Sequence, residues 1–188
     1  MTVLKWLSIC LTLFCQGTAA SKPCDWTQYR LRSMNDHSIR LLSEMGGYIP
    51  HMCSEEKDKQ MFPEDVYMNT QVEDVSVVAL EAMGYVAQIF NKSLTSVTWN
   101  KIALNQFQNI IYRQVENLKI CVAGGVGASS GDGGSVTAGN ASLKAYFDKL
   151  KTVLIEKEHS TCAWEIVREE VRKNLVQFNK FIDSKVKP

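Results

Sequence analysis

The sequence predicts an all-α protein, and three observations carry that prediction. Apolar residues recur at steps of three and four along five separate stretches. Glycine, proline and polar clusters interrupt the pattern between those stretches. No segment alternates between apolar and polar residues long enough to read as a convincing strand.

The first helix is expected over Asp25–Met45, with the stripe Leu31, Met34, Leu41, Leu42 and Met45. "MGGYIP" stops it at Gly46, Gly47 and Pro50. A polar stretch to about Asp65 carries Cys53 and Pro63. The second helix starts near Thr70, where Thr70 and Glu73 of "TQVE" form a capping box. Its stripe is Val72, Val75, Ala79, Ala82, Met83, Val86, Ile89 and Phe90. Valines 75, 77 and 78 also suit a strand, but about twenty residues of helical spacing decide against one.

The third helix runs from about Ser96 to Cys121, with Ala103, Leu104, Phe107, Ile110, Ile111, Val115, Leu118 and Val122 on its apolar face. Residues 123–139, "AGGVGASSGDGGSVTAG", hold seven glycines. A phosphate-binding loop would need a lysine and a preceding strand, and this segment has neither. Its composition reads as a flexible linker. A fourth helix follows from about Ala141 to Lys157, with Leu143, Phe147, Leu150 and Leu154 in its stripe. The fifth starts at Ser160 or Thr161, both good N-caps. It buries Trp164, Val167, Val171, Leu175, Phe178 and Ile182, and Trp164 is read as core.

The first twenty residues have the layout of a secretory leader. Lys5 precedes an apolar run from Trp6 to Cys15, and small residues follow at Gly17, Thr18, Ala19 and Ala20. That run is too short to span a bilayer. Cleavage is expected after residue 20, with sites up to residue 23 also compatible, leaving 21–188 as a single extracellular domain of about 165 residues. Loss of Lys5 leaves 20 basic against 20 acidic residues. Such balance argues against nucleic acid or an anionic membrane as the main partner. Two sequons, Asn91-Lys92-Ser93 and Asn140-Ala141-Ser142, are candidate glycosylation sites.

Removing the leader takes away Cys10 and Cys15 and leaves Cys24, Cys53, Cys121 and Cys162. An even count in a secreted chain reads as two disulfides. If all helices simply alternate, Cys24 meets Cys162 and Cys53 meets Cys121. The first link exceeds twenty residues, so at roughly 3.3 Å per residue it can cross the whole bundle. The second helix can then run parallel to the first, which pairs Cys24 with Cys121 and Cys53 with Cys162. A long first crossover marks the cytokine-type arrangement, and the second pairing is expected on that ground. The fold expected is a five-helix, up-up-down-down bundle with a long first crossover and an extra fourth helix.

Catalytic and metal chemistry find little here. No close cysteine pair suits zinc, and His37, His51 and His159 lie far apart. No local nucleophile or metalloprotease signature is present, and His159 near Cys162 yields to the disulfide reading. Neither a cofactor nor a metal is expected. Glu55-Glu56 and Glu169-Glu170 are read as solvated surface. On the last helix Glu165, Arg168, Glu169, Arg172 and Lys173 lie mostly off the core stripe. They form either a solvated face or a recognition face, where arginine is over-represented among hot spots.

"STCAWEIVREEVRKNL" (160–175) closely resembles the last-helix signature of type I interferons. "IIYRQVENLKICV" resembles the end of their third helix and "LKAYFDKL" the start of their fourth. "SIRLLSEMGG", with "CDW" at the mature start, is most like the four-cysteine fish members. The resemblance spans the whole mature chain and is weakest in the first loop. It implies a secreted antiviral cytokine without catalysis, acting as a monomer. Such a molecule bridges two different single-pass receptor chains and triggers Janus kinase–STAT signalling. By matching position, Arg168 and Lys173 are implied as contacts for one chain, with the loop after Cys53. Tyr112 and Lys144 are implied for the other. Arg172 stands where mammalian alpha members have an apolar residue, and Glu169 where they have a small one, so that patch is expected to be more electrostatic. The main competing reading is a secreted helical carrier of a small apolar ligand.

Overall fold

The computed structural model describes residues 25–55, 62–63, 66–67, 75–91, 94, 97–125 and 134–185. The leader, Cys24 and the expected capping pair Thr70–Glu73 lie outside these. Six helices are present among the described residues: α1 Asp25–Gly46, α2 His51–Glu55, α3 Val75–Phe90, α4 Lys101–Gly125, α5 Gly134–Glu156 and α6 Thr161–Lys185. No strand occurs among these residues.

Cross-helix bonds give the chain directions. Asn35 on α1 donates to Leu175 O and to Asn179 Oδ1 on α6, both at 2.8 Å, and further along α1 the Leu42 carbonyl meets Arg168. Rising numbers on one helix meet falling numbers on the other, so α1 and α6 are antiparallel. Phe90 against Phe107 (4.9 Å) and Ser76 beside Cys121 make α3 and α4 antiparallel. Asn100 N donates to Met45 O at 2.9 Å, which puts the start of α4 at the end of α1. Tyr85 stacks on Phe147 while Gln88 meets Lys151, so α3 and α5 are parallel. Tyr146 on α5 donates to Glu170 O on α6 at 2.9 Å, which seats α5 beside α6, itself antiparallel to α1. The order is therefore up for α1, up for α3, down for α4, up for α5 and down for α6.

The crossover between α1 and α3 is what lets two successive long helices run the same way. It contains α2, a single helical turn started by Cys53 N donating to Pro50 O at 2.9 Å; the sequence reading had only a polar stretch here. Cys53 is bonded to Cys162 at the start of α6, with Cα atoms 4.9 Å apart. Farther on, Phe62, Val66 and Tyr67 are buried. Tyr67 packs on Phe178 and Phe181 and receives a hydrogen bond from Asn174 at 3.0 Å. Burial raises the pKa of Tyr67, and that of Tyr146, because the ionised phenol loses its hydration. Cys121 is also disulfide-bonded.

The apolar stripes assemble into one core. On α3 the inward residues are Val75, Val78, Ala79, Ala82, Met83, Val86, Ile89 and Phe90. Phe107, Ile111 and Leu118 of α4, with Phe147 and Leu150 of α5, close the other side. Helix α6 is buried over an arc wider than its stripe, because α1, α2 and α5 all pack against it. Ala163, Ile166 and Phe181 are buried as well as Trp164, Val167, Val171 and Leu175.

Three boundaries differ from the sequence reading. Helix α4 begins at Lys101 rather than near Ser96, because Asn100 is its N-cap. The Asn100 side-chain oxygen accepts from Ile102 N at 2.9 Å and Ala103 N at 3.2 Å. That leaves Trp99 in the non-helical link, buried against Phe90 and Trp164. Helix α5 begins at Gly134 instead of Ala141, and α4 continues to Gly125. Each glycine costs a helix about 1 kcal/mol but does not forbid one, and residues 134–140 include no proline. At α6 the expected cap is present, with Ser160 Oγ accepting from Ala163 N at 3.2 Å.

Candidate functional site

The charged residues of α6 separate into two groups once the neighbouring helices are in place. Positions 165, 168 and 170 turn inward, whereas 169, 172 and 173 stay toward solvent. Arg168 is fully buried, at 0% exposure. Its guanidinium donates to Leu42 O at 2.6 Å, Gly47 O at 2.8 Å, and Glu165 Oε2 through Nη2 at 2.7 Å and Nε at 3.1 Å. The second Glu165 oxygen accepts from Trp99 Nε1 at 2.6 Å. The Arg168 guanidinium carbon also lies 6.0 Å from the centroid of the Trp99 ring.

Arg168 is thus a corner post, not a surface contact. It bonds two carbonyls at the end of α1: Leu42 O in the last full turn, and Gly47 O just beyond the helix, where the ladder offers no partner. Gly47 holds φ at +68° and returns its N–H to Ser43 O at 2.8 Å, the usual glycine stop. Gly46 makes room for the guanidinium: a Cβ there would sit 2.5 Å from Arg168 Nε. Glu165 and Glu170, both read from sequence as outward, are buried too.

The outward group carries opposite charges in close pairs. Arg172 makes a two-pronged bond to Glu169 at 2.9 and 2.7 Å, which holds its pKa up, and its side chain is 32% exposed. Lys173 is 46% exposed and approaches Glu170 Oε1 at 3.4 Å. The edge of α6 therefore offers a basic strip partly neutralised by its own carboxylates.

Tyr112 and Lys144 belong to the other side of the bundle. Tyr112, on α4, is 64% exposed and lines a groove with Ala87 and Gln88 of α3. Lys144, on α5, is 62% exposed and bonded to Asp148, whose hydrogen bond raises the lysine pKa; the same bond lowers that of Asp148. Its charge is felt at Tyr85 of α3. The two residues flank α3 from either side and do not touch. Among the described residues no group of histidine, cysteine and carboxylate side chains could hold a metal ion.

This bundle, with its long crossover and α6 at its centre, has close parallels. Residues 27–185 match the family model of the interferon alpha/beta domain. The chain belongs to the type I interferon family. Its relatives include rainbow trout (Oncorhynchus mykiss) interferon a3, 29% identical over 93% of both chains. Human interferon omega-1 is 28% identical over 93% of this chain and 90% of its own. Among solved structures, zebrafish interferon 2 superimposes with a TM-score of 0.70 at 29% identity, covering 79% of this chain and 97% of its own. Zebrafish interferon 1 gives 0.71 at 26%, covering 87% and 100%.

Members of this family are secreted cytokines that act through receptor chains, and this interferon is a cytokine rather than an enzyme. No helix among its described residues is long and apolar enough to cross a membrane. The sequence reading missed the inward role of Arg168, Glu165 and Trp99. The signal was present in Ala163 and Ile166, whose apolar character outside the narrow stripe implies neighbours on a second side of the interferon's last helix.

Proposed function

We propose that this interferon is a secreted antiviral cytokine that bridges two different single-pass receptor chains and so activates Janus kinase–STAT signalling. What carries the proposal is the opposition of two exposed surfaces on a type I interferon bundle. One lies at the outer edge of α6, where Lys173 is exposed and Arg172 partly so; the other lies across α3 to α5, where Tyr112 and Lys144 are exposed. Arg168 supports the first surface from beneath. Two separate faces on one small rigid body suit a molecule that holds two chains at once. It acts as a monomer, after removal of a leader ending at residue 20 or as far as 23. A second disulfide between Cys24 and Cys121 and sugars at Asn91 and Asn140 complete the mature form. The carrier reading finds no support in the family.

The test is binding of the purified mature chain to each receptor ectodomain separately. Replacing Arg172 and Lys173 with alanine should weaken one chain and increase the salt tolerance of what remains. Replacing Tyr112 and Lys144 should weaken the other. Failure of the mature protein to raise STAT phosphorylation in cells of its own species would sink the proposal.

A further inference from the structure

Helix α3 ends at Phe90, and Asn91 follows it on the surface. Gln108 of α4 donates to Phe90 O at 2.6 Å, which ties the end of α3 to its neighbour. That tie places Asn91 on the wall of an open groove of about 390 Å³ between α3 and α4. Phe107 and Ile111 give it an apolar floor, and Gln88 and Asn109 line its walls. Tyr112 closes one side. It sits four residues beyond Gln108 on α4, about 6 Å along the axis at 1.5 Å per residue.

We propose that Asn91 carries an N-linked glycan whose first sugars lie in this groove against Tyr112, so that glycosylation controls access to the α3–α4 surface. The regulatory half of this inference rests on the reading that Tyr112 meets a receptor chain. Asn91 opens the sequon Asn91-Lys92-Ser93, so the occupant would be delivered covalently to the rim. A tethered group reaches effective concentrations of about millimolar at a nearby site. Weak contacts therefore suffice to seat it. The chemistry is suited: the C–H face of an N-acetylglucosamine packs on an aromatic ring, while its hydroxyls and acetamide meet side-chain amides. The groove also lies within the range of about 300–1,000 Å³ common for small-ligand sites. An exposed tyrosine is the residue type that dominates protein interfaces, and covering one should weaken binding about tenfold or more.

The full chain is secreted from a eukaryotic host beside a Ser93→Ala variant, which removes the sequon and keeps Asn91. Peptide mass mapping reads occupancy, hydrogen exchange reads residues 87–91 and 107–112, and titration against each receptor ectodomain reads access. A sugar on Asn91, faster exchange at the groove in Ser93→Ala, and tighter binding of that variant to one ectodomain alone are expected. An unmodified Asn91, or a sugar whose loss leaves exchange unchanged, overturns the seating. Protected exchange with equal binding of both forms overturns the regulatory role. If neither form binds an ectodomain, the receptor reading itself fails, while the exchange result still decides where the sugar lies.

Discussion

Replacing Arg168 with alanine should unfold this interferon at a markedly lower temperature. The guanidinium has no solvent exposure and makes its bonds to Leu42 O, Gly47 O and Glu165 inside the protein. Its removal leaves the Glu165 carboxylate buried with only the Trp99 indole as partner, and takes the Arg168 bonds away from Leu42 O and Gly47 O. Breaking one side of a buried ion pair costs about 3–5 kcal/mol. For a domain of 150–250 residues each kcal/mol moves the midpoint by about 2–4 °C. The expected loss is therefore about 6–20 °C, read by circular dichroism with disulfides intact. A companion double variant, Glu165→Gln with Arg168→Met, removes both charges and should recover part of the loss, since no uncompensated charge stays behind. Receptor binding by Arg168→Ala should fall only in proportion to the unfolded fraction. A midpoint within 2 °C of the parent, combined with a large drop in receptor affinity, would refute this reasoning and return Arg168 to the surface.

Three further outcomes follow from the same geometry. Gly46→Ala should destabilise by about 1–3 kcal/mol, because its methyl group collides with Arg168; in an Arg168→Ala background the same change should be neutral or helpful, which a double-mutant cycle by thermal melting would show. Glu158 sits at φ +51° in the α5–α6 turn, so Glu158→Gly should raise stability by up to about 1 kcal/mol, the left-handed cost of about 1–2 kcal/mol less the entropy that glycine loses; a lower melting midpoint would count against it. Glu81 on α3 has a buried carboxylate oxygen without a partner, and burial raises its pKa. A raised carboxyl binds its proton more tightly when folded, so its penalty is absent at acid pH and develops as pH rises past the folded value. Glu81→Gln should accordingly raise the melting midpoint at pH 7 and lose that advantage near pH 4; an equal gain at both would mean that charge is not the cause.

The helices themselves were legible because each buries a face, and a buried face leaves a period of 3.6 in the sequence. Val75 to Phe90 and Leu143 to Leu154 show it plainly. The cysteines and the length of the first link were enough to suggest the direction of each helix. What a one-dimensional reading handled poorly was α6. A stripe describes a helix with one neighbour, whereas α6 is surrounded by α1, α2 and α5. A charge on the flank of such a helix can be pulled inside by groups distant in sequence, as Leu42, Gly47 and Trp99 do for Arg168 and Glu165. Ile166 signals a second neighbour, but nothing local to "WEIVRE" says which distant groups would meet Arg168 and Glu165. The start of α4 was misplaced for a related reason: Trp99 looks helical by composition until Asn100 is seen to cap the helix behind it.

The bond between Cys53 and Cys162 spans 109 positions of the chain. A single cut of the backbone anywhere between them therefore yields two fragments that remain one molecule. The first fragment keeps α1 and α2, and the second keeps α6, which α1 and α2 pack against. A protease cut in the intervening chain would therefore not free the end of the bundle where Arg168 sits. New chain ends could also be placed there by circular permutation, with the sulfur bridge holding the old neighbours in register.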